Sequence, residues 1–161
     1  MWLTTLFFIF EGLLCFFLSN IFAVYSSPND VAWSVVMLTS IVFIFNLASR
    51  SKDNQLNVLI VLGYCFRILL MICDLYWITL PGSGGDTKLF QTFALNYLFS
   101  GDAGAGGIYS SFLGGIYYFY GTSEIIGRYI NILLSVYVIF ILIKVLKKLN
   151  SDNRVIMIAV A

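Results

Sequence analysis

The chain has 161 residues, 60% of them hydrophobic and only 11% charged, with a formal net charge of +1. A soluble domain of this length carries about 25% charged residues and cannot hide so much apolar surface, so the composition is that of a membrane protein. A charge this close to neutral implies no strong attraction to nucleic acid, so none is expected as a partner, and the absence of histidine excludes Ser–His–Asp, Cys–His and histidine-ligated zinc chemistry.

A transmembrane helix needs about 20 apolar residues. The N-terminal run, 2–25, meets this and lacks the basic start and small-residue cleavage site of a secretory leader, so it reads as a retained first span containing Glu11. "SSPND" (26–30) is a turn with Pro28 as a breaker. Spans follow at 31–48 and, after the polar "SRSKDNQ", at 56–80, the latter containing Arg67 and Asp74. A fourth span covers 125–146. The final "VIMIAVA" (155–161) starts a fifth apolar run too short to cross, as in the N-terminal part of a longer protein. The expected fold is therefore an all-α, polytopic transmembrane bundle in one membrane domain.

Basic residues set the orientation. Arg50 and Lys52 lie between spans two and three; Lys144, Lys147, Lys148 and Arg154 follow span four. Both clusters belong on the cytoplasmic side of a cell membrane. The N-terminus is then cytoplasmic and the long loop, 81–124, extracytoplasmic.

That loop holds ten of the thirteen glycines, which argues against a spanning helix there, since glycine costs about 1 kcal/mol in a helix interior. Leu89, Phe90, Phe93, Ala94, Tyr97 and Leu98 recur with helical period opposite Lys88, Gln91, Thr92 and Asn96, which predicts a short helix lying on the membrane surface. Asp86 stands at its start, where a carboxylate either caps free N–H groups or serves as a general base. "IYSSFLGGIYYFYG" (108–121) is a second interfacial or re-entrant piece, with tyrosines at headgroup level.

Charges inside spans are costly and so mark either structure or function. Glu11 and Arg67 lie at depths only about 3 Å apart at 1.5 Å per residue, which suggests an intramembrane structural pair; the alternative is that Arg67 tethers or snorkels. Asp74, near the outer end of its span, is either an ordinary interfacial aspartate or points into a cavity under the loop. Asp102 is a flexible-loop aspartate with a possible substrate role. Glu124 and Arg128, four apart, either pair with each other or bind an anionic group. "GSGGD" lacks the phosphate-loop pattern; its glycines serve a tight exit from span three. Cys15, Cys65 and Cys73 sit in apolar runs without a C-x-x-C, so no metal or redox site is supported.

The order of features over 60–149 resembles the N-terminal part of GT-C type membrane glycosyltransferases, which use polyprenyl-phosphate-linked sugars. The resembling residues are "YCFRILLMICDLYW", the exit "LPGSGGD", the helix "TKLFQTFALNYLFSG" and the aromatic run leading through "GTSEIIGRYIN" into span four. Two spans precede the resembling helix, and the acidic motif has a single aspartate. The resemblance implies transfer of a sugar from a polyprenyl-phosphate donor at the extracytoplasmic face. It implies Asp86 as the catalytic base, with Lys88, Arg128, Asp74 and Asp102 around the substrate and Gly121 and Asn131 in the later motif positions. The expected partners are the bilayer, the lipid-linked sugar and a further membrane protein; no cofactor is indicated, and a divalent metal has no support from the residues. The alternative is a non-catalytic multi-pass membrane subunit, or a polysaccharide polymerase or flippase component.

Overall fold

The computed structural model describes residues 2–21, 27–49, 54–80, 85–102 and 104–149. Among these every regular element is a helix. The helices are α1 (Trp2–Ile21), α2 (Pro28–Ser49), α3 (Asn54–Tyr76), α4 (Gly85–Ser100), α5 (Gly107–Tyr120) and α6 (Glu124–Lys148), with a 3-10 turn at Gly104–Gly106. Three helices are long and apolar enough to cross a membrane, over Pro28–Ala48, Gln55–Tyr76 and Glu124–Lys148. At 1.5 Å per residue each exceeds about 30 Å, the thickness of a hydrocarbon core. The protein is thus an all-α membrane protein. In α1 the apolar stretch is shorter, Leu3–Leu18. The expected end of the first span (22–25), the basic loop carrying Arg50 and Lys52, and the run 155–161 fall outside the described residues.

The second span begins earlier than its apolar run suggests. Pro28 does not break the helix but opens it, because a first-turn residue needs no N–H and proline's φ is already helical. Ser27 caps it: its Oγ accepts from the Asp30 amide at 3.2 Å and donates to Asp30 Oδ2 at 2.6 Å. Ser123 plays the same part for α6, accepting from the Ile125 amide at 3.3 Å. Its hydroxyl also donates to Asn29 Oδ1 at 3.0 Å, which ties the start of α6 to the start of α2. Glu124 in the first turn of α6 and Lys147 and Lys148 in the last turn complement the helix dipole.

The glycine-rich region forms two helices of 16 and 14 residues, too short to span. They pack against each other as a hairpin, and small residues set their separation. A Cβ on Gly114 would lie 2.8 Å from the Ala94 carbonyl oxygen, and Ala94 itself is fully buried. The apolar side of α4 was expected to rest on lipid. Instead Ala94 lies against α5, Phe93 lies against Gly106, and Phe90 meets Tyr109 edge-on at 5.3 Å. An aromatic second helix offers better packing than mobile acyl chains, so the apolar faces meet each other. The hairpin is then wedged between α1 and α6: the Tyr120 ring sits over Gly12, and the Tyr117 hydroxyl sits over Gly127. Tyr120 also donates a hydrogen bond to the Phe8 carbonyl.

The core runs through Phe43, Ile126, Tyr129 and Val136, all fully buried. A polar seam crosses it. Thr39 Oγ1 donates to Glu11 Oε2 at 2.6 Å, and Tyr64 OH lies 2.6 Å from Ser40 Oγ and 3.0 Å from Tyr129 OH. Outward, α1, α2, α3 and α6 present large apolar side chains, among them Phe10, Phe17, Ile41, Phe45, Leu62, Phe66 and Val138. Such a surface is stable against lipid tails and not against water.

The Glu11–Arg67 pair does not form. Depth along the two helices matches, but among the described residues α1 and α3 are not neighbours: Glu11 is 5% exposed and bonded to Thr39 of α2, while the Arg67 side chain is exposed. Among the described residues the ion pairs are Arg128 with Asp74 and Arg128 with Glu124.

Candidate functional site

The N-terminal end of α6 gathers most of the charge that the sequence singled out. Asp74 sits in the last turn of α3, and Arg128 one turn into α6. Their side chains form an ion pair in which Asp74 is 4% and Arg128 15% exposed. The other Asp74 oxygen accepts from the Leu80 amide at 2.7 Å, so the chain leaving α3 folds back over its own last turn. Glu124 Oε1 accepts from Arg128 Nη2 at 2.6 Å and from Nε at 3.2 Å. This i,i+4 pair is the local alternative that the sequence offered, and Asp74 adds a second carboxylate from another helix.

One guanidinium between two carboxylates leaves a cluster of net charge −1. Arg128 is therefore neutralised, and a phosphate brought to it would meet excess negative charge. Arg128 thereby joins the end of α3 to the start of α6.

Beside the cluster lies a cavity of about 340 Å³. α4 contributes Thr87, Phe90 and Gln91, one turn of one helix face. Tyr109, Leu113 and Tyr117 come from α5 at the same periodicity, and Glu124, Gly127 and Asn131 from α6. Glycine at 127 lets α6 pass close to the Tyr117 hydroxyl, since a Cβ there would approach it to 2.9 Å and the ring would have to shift. Tyr109 OH donates to Asn131 Oδ1 at 2.8 Å, which orients the amide. Burial pushes the Tyr109 phenol above its ordinary range, although the Asn131 bond partly offsets this. Burial does the same to Tyr117, reinforced by the charges of Tyr109 and Glu124. Both phenols therefore remain neutral at physiological pH, and burial in the cavity wall favours their use as hydrogen-bonding hydroxyls. The cavity combines aromatic faces with a carboxylate, two amides and hydroxyls, within the size range of small-molecule sites.

A second, larger cleft of about 780 Å³ lies against the same wall. It is lined by α1, α2, α3, α5 and α6, mostly by apolar residues such as Phe8, Phe43, Ile60, Leu133 and Phe140. Its α5 residues, Phe112 and Ile116, alternate along that helix with the Tyr109, Leu113 and Tyr117 of the smaller cavity. One helix thus walls both spaces.

The remaining sequence candidates are distributed differently. Asp86 lies in the first turn of α4, one residue before the cavity-lining Thr87; its side chain is outside the described residues. Lys88 is exposed on α4. Asp102 is exposed and its Oδ1 accepts from the Gly104 amide at 2.8 Å, a local turn that starts the 3-10 segment before α5. Among the described residues no three acidic or thiol side chains converge as a metal site would need.

Sequence reasoning missed Tyr109, Tyr117 and Gln91. The signal was present as i,i+4,i+8 spacing in the aromatic run, but an aromatic stripe reads equally as an interfacial belt. Comparisons with protein families, with characterised proteins and with solved structures find no match for this chain.

Proposed function

We propose that the chain is the donor-binding portion of a membrane glycosyltransferase-like protein that acts on a polyprenyl-phosphate-linked sugar. The observation that carries this reading is the adjacency of the two spaces. A polar and aromatic cavity of about 340 Å³ shares the α5 wall with an apolar cleft of about 780 Å³. A lipid-linked sugar has that same division, one polar ring joined to a long hydrocarbon. The tail fits the cleft, and the sugar fits between Phe90, Tyr109, Tyr117 and Asn131. The basic residues at the far end of α6 support an extracytoplasmic position for this cavity.

In the proposed reaction Asp86 takes the proton from the acceptor hydroxyl as that oxygen attacks the anomeric carbon. The bond from that carbon to the phosphate oxygen breaks, and its electron pair leaves with the lipid phosphate. Lys88, next to the cavity-lining Thr87, is the nearest α4 cation to that leaving group in sequence. The Asp74–Arg128–Glu124 cluster positions the floor of the site and does not touch the phosphate.

The test is transfer of radiolabelled sugar from polyprenyl-phosphate glucose or mannose in membranes that carry the chain. Asp86→Asn is expected to reduce transfer by at least about 100-fold, the usual contribution of a positioned base, while membrane insertion is unchanged. Full transfer by Asp86→Asn would remove the base assignment. Saturable donor binding without transfer in the unaltered chain would instead favour the non-catalytic subunit.

A further inference from the structure

The two cavities carry opposite charge. Beside the smaller one, Asp74, Arg128 and Glu124 together leave an excess negative charge. The larger cleft is lined by Lys144 and Lys147 and, among the described residues, by no carboxylate. The two lysines stand three apart, on one face of the last turns of α6. Membrane orientation accounts for basic residues at a helix end in general. It does not account for their placement, because Lys148 is equally basic and lies outside the cleft lining.

Uncharged polar groups collect at the same end. Asp74 at the end of α3 meets Arg128 at the start of α6, so the start of α3 lies beside the end of α6. Asn57, near that start, donates to the Leu47 carbonyl at the end of α2 at 3.2 Å. Asn46 of α2 donates in turn to Thr4 Oγ1, near the start of α1, at 3.3 Å. Thr4, Asn46 and Asn57 all line the cleft. The Asn57 amide has a second N–H besides the one given to Leu47, and the Thr4 hydroxyl can donate as well as accept.

Beyond this end the cleft is apolar. Along α6 its wall runs from Lys147 to Ile130, about 26 Å at 1.5 Å per residue, against about 15 Å for half of a hydrocarbon core. A space that is cationic and hydrogen-bonding at one end, and apolar over more than the depth of a leaflet, matches a phospholipid in polarity and in length. A soluble anion would use only the end, and an uncharged lipid only the wall. Basic pockets between membrane helices are a recurring way to hold anionic headgroups.

We propose that the basic end of the large cleft binds an anionic phospholipid of the bilayer. Lys144 and Lys147 pair with its phosphate, Thr4 and Asn57 donate to the remaining oxygens, and one acyl chain lies along Leu134 and Phe140. The site does not depend on the sugar reading: it lies at the opposite end of α6 from the Asn131 cavity and asks nothing of Asp86.

Native mass spectrometry tests it on the full chain in nonionic detergent, titrated with phosphatidylglycerol or with phosphatidylcholine of the same acyl chains. Phosphatidylglycerol is expected to bind about thirtyfold more tightly, the equivalent of about 2 kcal/mol for two lysines near a membrane surface. Lys144→Gln with Lys147→Gln keeps both stems and is expected to abolish the preference. Lys148→Gln, beside the site but outside its lining, is expected to leave it intact. Leu134→Trp, which narrows the apolar wall, is expected to weaken both lipids alike, and glycerol phosphate at the lipid's concentration is expected to displace neither. Equal binding of the two lipids, or a preference that survives the double variant, overturns the proposal. So does equal loss in Lys148→Gln, which would show a diffuse basic ring. Displacement by glycerol phosphate, or unchanged binding in Leu134→Trp, would show an anion site without an acyl chain and overturns it too.

Discussion

Arg128→Met is expected to destabilise the folded protein by about 3–4 kcal/mol, the cost of leaving a buried charge without its partner. Asp74 is the reason. Its side chain is 4% exposed, and its Oδ1 accepts from the Leu80 amide while its Oδ2 pairs with Arg128. Without the guanidinium, Asp74 also faces Glu124, so two carboxylates repel across the junction of α3 and α6. Asp74→Leu in the same chain removes the stranded charge and is expected to restore most of the loss, because apolar replacement of a whole buried pair is close to neutral. Glu124→Gln is expected to cost well under 1 kcal/mol, as its side chain is 32% exposed and the pair is local. Detergent-to-SDS unfolding of the purified variants reads all three. A small effect of Arg128→Met, comparable with that of Glu124→Gln, would show that the cluster does not clamp the helices.

Glu11→Leu is expected to act in the opposite direction and to raise stability by about 1–2 kcal/mol. Glu11 is buried, its Oε2 accepts from Thr39, and its Oε1 has no hydrogen-bond partner. An unsatisfied buried oxygen costs about 1–3 kcal/mol. Leucine removes that cost and leaves only the Thr39 hydroxyl, which can turn to a carbonyl of its own helix. Glu11→Gln keeps the acceptor and is expected to be nearly neutral. The same unfolding measurement separates them. If Glu11→Leu is instead strongly destabilising, the seam from Glu11 through Thr39 to the core is a structural network in which the carboxyl has a further partner.

The contrast between these two sites shows what one sequence reveals about a membrane bundle. The all-helical class, the two short helices of the glycine-rich region and the Glu124–Arg128 pair follow from local spacing, and local spacing is written in the chain. The Asp74–Arg128 pair joins residues 54 apart in sequence, across helices whose relative rotation no periodicity records. The Glu11–Arg67 expectation went wrong for the same reason. Counting residues from a membrane boundary gives depth, but pairing also needs neighbouring helices and azimuth. In lipid the azimuth cannot be read from an apolar stripe, because both the interior and the exterior of the bundle are apolar. α5 shows the corresponding effect at the cavity. Its tyrosines looked like a headgroup belt, whereas two adjacent stripes of that helix line two different spaces.

The most direct test of the proposed function is binding of a labelled polyprenyl-phosphate hexose to the purified chain in detergent, before any chemistry. The unaltered chain is expected to bind saturably. Asn131→Ala is expected to weaken binding about tenfold by removing a pre-oriented amide worth roughly 1–1.5 kcal/mol. Leu133→Trp, which fills the apolar cleft, is expected to weaken it through the tail, with an equal effect on the sugar-free polyprenyl phosphate that Asn131→Ala does not share. Binding that is indifferent to both substitutions, or no saturable binding at all, would contradict the assignment of the two cavities to one lipid-linked sugar.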